Sequence, residues 1–118
     1  HMLRLSQTAL TYAEAAARSG SVTDEAYQWL NKIRTRAGLS TYSGLSREDF
    51  IKAVVDERKW EFAGENVRWY DILRLELEDE VFAGKDNTYD PGSLHPAGDK
   101  DYTFPIPATE TLVNPNLK

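Results

Sequence analysis

The chain has no cysteine. That excludes disulfides, thiolate metal sites and a cysteine nucleophile within these 118 residues, but it leaves the compartment open. Histidine is nearly absent. His1 belongs with Met2 to a vector scar and is set aside. His95 then stands alone, and a lone histidine in a loop is solvated more often than it binds zinc. Basic residues are the minority, 14 against 19 acids, for a net charge of −5. A nucleic-acid surface needs the opposite balance. No apolar run approaches the roughly 20 residues of a membrane-spanning helix. No signal peptide, glycine-rich phosphate loop, nucleophile elbow or metalloprotease motif is visible.

What is present is ordinary globular composition, 41% hydrophobic and 28% charged, enough for one domain or part of one with a modest core. Residues 3–19 have helical spacing. Leu3, Leu10, Ala13 and Ala17 form one row, with Leu5, Ala9, Tyr12 and Ala16 beside it. Gly20 is a left-handed stop. Thr23 is placed to cap a second helix, whose buried row is Ala26, Leu30, Ile33 and Ala37. Asp24 and Glu25 suit its start, Arg34 and Arg36 suit its end, and Gly38 closes it. The pair makes one helical hairpin of tetratricopeptide size. Such units need about three neighbours to bury their faces, so the chain reads as a segment of a larger protein. After a polar linker, Ser46 and Asp49 make a capping box, flanked by Leu45 and Phe50 as a hydrophobic staple. Phe50, Ile51, Val54 and Val55 then pack.

That helix runs into residues 57–74, where acids, bases and aromatics interleave. A helix whose polar side is wired into neighbouring backbone and whose apolar side is fully packed is expected, broken at Gly64 or Asn66 and resuming as a short helix from Arg68. From about Asp79 the pattern dissolves into a long loop punctuated by Gly84, Asn87, Pro91, Gly92, Pro96 and Gly98. The prolines of Tyr102-Thr103-Phe104-Pro105-Ile106-Pro107 dictate an extended arm, expected to pack across the helices. Glu110 to Val113 are expected to make one turn of helix.

Glu57, Arg58, Glu61, Glu65, Arg68, Asp71 and Arg74 invite two readings. Two of the carboxylates could straddle a glycosidic bond as acid and base. The spacing of four and then three residues instead suits ion pairs and caps, and a structural polar network is the reading adopted. Trp29, Trp60, Trp69 and Tyr70 could stack on sugars, but aromatics at helical spacing are usually core. Tyr89 and Tyr102, in or beside the loop, are the better ligand-binding candidates, because loops carry function more often than helix faces. Asp86, Asp90, Asp99 and Asp101 do not match the spacing of a calcium-binding EF-hand. No metal or cofactor is expected.

Four blocks together resemble a known family. They are Tyr12-Ala13-Glu14-Ala15, then Leu30-Asn31-Lys32-Ile33-Arg34-Thr35-Arg36-Ala37-Gly38, then residues 57–74, and finally Phe104-Pro105-Ile106-Pro107 with Asn114-Pro115. The chain resembles the C-terminal portion of SusD/RagB proteins, nutrient-binding surface lipoproteins of Bacteroidetes, over nearly all of residues 3–118. Two features depart from the family pattern. Glu65-Asn66-Val67-Arg68 replaces the usual Glu-Gly-His-Arg, and the family's Gln-Asn-Pro-Gly-Tyr ending is missing. The resemblance implies an all-α fold with a tetratricopeptide-like hairpin, a long kinked helix, a long loop and an extended C-terminal arm. It implies non-catalytic glycan binding by a lipoprotein anchored at the outer membrane, which passes nutrient to a SusC-like TonB-dependent transporter during polysaccharide utilisation. It assigns no ligand residue here, because the family's aromatic platform comes mostly from upstream segments. The alternative is a scaffold that docks a partner protein without touching nutrient. The exposed helix faces of such a segment could also support self-association.

Overall fold

A computed structural model describes residues 3–82, 106–114 and 116. The described residues form six α-helices and no strand. The chain divides into two compact units, His1–Trp69 and Tyr70–Lys118.

The first unit holds α1 (Leu5–Arg18), α2 (Asp24–Arg36) and α3 (Arg47–Glu61), and α4 (Arg68–Arg74) begins at its end. Helix α1 packs against both α2 and α3, and α2 also touches α3. Its buried row is Ser6, Ala9, Leu10, Ala13, Glu14 and Ala17. The alanines let both partner helices approach closely. Leu10, Leu30, Phe50 and Val54 form the centre of the core, and Phe62 and Val67 extend it past the end of α3. The expected row is shifted at its edges. Leu3 precedes the helix, and Leu5 and Tyr12 lie roughly 100° or more around from the buried centre at helical pitch, so all three are exposed. Ala37 falls beyond the last turn of α2 and is also exposed.

The helix ends follow local chemistry. Thr23 Oγ1 accepts from Ala26 N–H at 3.1 Å. Gly38, at φ 75°, closes α2 with two bonds, its own N–H to Thr35 O at 3.0 Å and Leu39 N–H to Arg34 O at 2.9 Å. Ser46 caps α3, accepting from Asp49 N–H at 3.1 Å and donating to the Asp49 carboxylate at 2.7 Å. The linker between α2 and α3 is held from α2. Asn31 donates to Tyr42 O at 2.9 Å and accepts from Tyr42 N–H at 2.8 Å, while Tyr27 Oη accepts from Leu45 N–H at 2.7 Å. Tyr27 also meets the Phe50 ring edge-on at 4.7 Å.

The break between α3 and α4 uses both residues the sequence offered. Gly64 sits at φ 80° and Asn66 at φ 58°, and α4 resumes at Arg68. The long kinked helix is therefore two helices separated by residues 62–67.

In the second unit, α4 is closed by Glu76 at φ 54°, through Glu76 N–H to Leu73 O at 3.2 Å and Leu77 N–H to Ile72 O at 3.0 Å. Helix α5 (Glu78–Phe82) carries regular structure past Asp79, where the sequence pattern fades. Three acids in its first turn suit the positive end of the helix dipole. Helix α6 (Ala108–Val113) begins after Pro107 and buries none of its residues. Phe104 and Pro105 of the expected arm lie outside the described residues, and Ile106 is half exposed.

Candidate functional site

The charged residues of 57–74 meet cations from the other two helices. Arg34, near the end of α2, donates to Glu57 at 2.7 Å, and its Nε donates to Ser40 O at 2.7 Å. Its guanidinium also lies over the Tyr42 ring at 4.0 Å. The Arg34 and Glu57 side chains are 12% and 5% exposed, so the pair is largely withdrawn from water. Two residues on, Arg36 donates to Glu61 Oε2 at 2.6 Å. Arg4, just before α1, closes the cluster. It grips both Glu65 oxygens at 2.6 and 3.2 Å, Glu61 Oε1 at 3.1 Å and Glu61 O at 2.8 Å. Arg58 donates to Thr11 Oγ1 at 3.2 Å, and Arg4 and Arg58 both lie over the Phe62 ring.

Six of the seven charges singled out in the sequence have described partners, and most of those partners come from elsewhere in the chain. Within the stretch, Arg74 donates to Asp71 at 2.8 Å. Arg68 is the exception, since its buried Nη1 has no hydrogen-bond partner among the described residues. The sequence reading gave Arg34 and Arg36 only the role of completing a helix dipole, and it overlooked Arg4. A signal was available. Glu57 and Glu61 stand four apart on one helix, where like charges repel, so cations from another element would relieve them.

The electrostatics agree with pairing. Burial pushes the Glu61 carboxyl up, but hydrogen bonds from Arg36 and Ser6 and the charges of Arg36 and Arg4 outweigh it. Glu61 therefore sits below its ordinary value. A general acid working near neutrality needs the opposite shift. The Glu65 hydrogen bond, against some loss of solvation, pushes the Arg4 guanidinium further up.

The aromatic residues invert the expected packing. Trp60 is 68% exposed, Trp69 45% and Tyr70 68%, while Glu57, Arg58 and Asp71 are buried. The apolar side of the stretch is thus only partly packed, because the interhelical ion pairs fix which face of α3 turns inward. Lys59 lies over the Trp60 ring at 4.5 Å. Trp29 is half-buried beside a shallow cleft between α1 and α2, lined by Leu5, Ser6, Ala9, Ile33, Lys32 and Arg36. At about 120 Å³ the cleft falls below the roughly 300 Å³ at which small-molecule pockets begin. Nearby, Tyr12 donates to Glu25 at 2.8 Å, and that bond, with burial and the carboxylate charge, pushes the Tyr12 hydroxyl up. Tyr89, Tyr102, His95 and the loop acids Asp86, Asp90, Asp99 and Asp101 lie outside the described residues. Among the described residues no cluster could hold a metal ion. No described helix is long and apolar enough to cross a membrane.

The two most distinctive sequence blocks are thus the two halves of one interlock. Arg34 and Arg36 of α2 donate to Glu57 and Glu61 of α3, while Glu65 in the turn after it receives from Arg4. The profile of the SusD family matches residues 1–118. The chain belongs to the SusD family. It is 34% identical over 127 residues to SusD-like protein P2 of Formosa agariphila, an alignment covering 98% of this chain and 24% of that protein. SusD-like protein P25 of the same organism is 37% identical over 78% of the chain and 18% of its own length. A SusD-like protein of Bacteroides ovatus is 33% identical over 62% of the chain and 13% of its own length. The chain therefore spans about a quarter or less of the curated relatives it matches. No solved structure matches it.

Proposed function

We propose that this chain is one helical segment of a longer, non-catalytic glycan-binding lipoprotein at the outer membrane surface, which delivers nutrient to a SusC-like TonB-dependent transporter. The carrying observation is the family match over the whole chain, set against the quarter of a relative's length that the chain spans. Within that protein the segment serves as framework. Glu57, Glu61 and Glu65 are engaged by arginines, which suits a structural role better than protonating a leaving group. Nutrient contact then falls to other segments, with Tyr89 and Tyr102 as the candidates within this chain.

Calorimetric titration with a glycan panel tests this. The longer polypeptide binds at least one glycan, and the 118-residue chain binds the same glycan weakly or not at all. No binding by either would sink the reading. Exposed Trp60 and Trp69 favour a second reading, a scaffold docking a partner protein without touching nutrient. Co-purification of a transporter with a longer polypeptide that binds no glycan would select it.

A further inference from the structure

We draw no further inference here: the strongest candidate, the shallow apolar cleft between α1 and α2 lined by Leu5, Ala9, Trp29 and Ile33 with Lys32 and Arg36 at its edge, is an unpartnered face, and nothing in the structure shows what covers it.

Discussion

Arg34→Met is the most informative single perturbation. It leaves the Glu57 carboxylate in a site where that side chain is 5% exposed. Removing one partner of a buried pair costs about 3–5 kcal/mol, and the residual exposure of Arg34 places this case near 3 kcal/mol. The same change removes the donor to Ser40 O and the cation over Tyr42, together about 1–2 kcal/mol. The expected loss is therefore about 4 kcal/mol, a large part of the roughly 5–15 kcal/mol that stabilises a domain. Glu57→Met costs less, about 2–3 kcal/mol, because Arg34 keeps Ser40 and Tyr42. The double variant should fall short of the sum by about 2 kcal/mol, since neither charge is left alone. Urea unfolding followed by circular dichroism measures all four corners of the cycle, and Arg34→Gln with Glu57→Gln gives a gentler version. Additivity within about 0.5 kcal/mol would refute the claim that these two residues form a coupled buried pair.

Three further outcomes follow from the same geometry. Glu61 has its folded pKa below the ordinary 4.5, so its contribution to stability is complete above that value and is lost as pH falls through the folded pKa; urea titrations from pH 7 to 3 should show this acid limb shrinking in Glu61→Gln. Gly64→Ala should cost about 1 kcal/mol, because the added Cβ meets no atom within 4 Å and only the left-handed φ of 80° resists it; an unchanged midpoint would contradict that φ. Asn31→Ala should cost about 1–2 kcal/mol by releasing both bonds to Tyr42, and amide exchange at Tyr42 should quicken.

The helix termini were legible in the sequence because the groups that decide them are local. Thr23, Gly38, Ser46 and Asp49 each act within about one turn of where they stand. Asn66 and Gly64 announced a break, and their shared use in one turn could not be divided between them by propensity alone. The charged stretch was only half legible. Its helical spacing suggested partners along the helix, whereas the cations arrive from residues 4, 34 and 36. Sequence separation hid them, although the repulsion between Glu57 and Glu61 on one face was a clue. The aromatics misled for a related reason. Hydrophobicity argues for burial, but interhelical ion pairs had already fixed the orientation of α3, and Trp60 was left outward. Tyr89 and Tyr102 remain candidates outside the described residues.

The central claim is that the charged signature of α3 holds the segment together and takes no part in gripping nutrient. Measuring glycan affinity and unfolding midpoint side by side for the longer polypeptide and its Glu61→Gln variant tests it most directly. The account predicts a lowered midpoint with an unchanged Kd for the folded protein. An unchanged midpoint with affinity lost would contradict it and place Glu61 in the binding site.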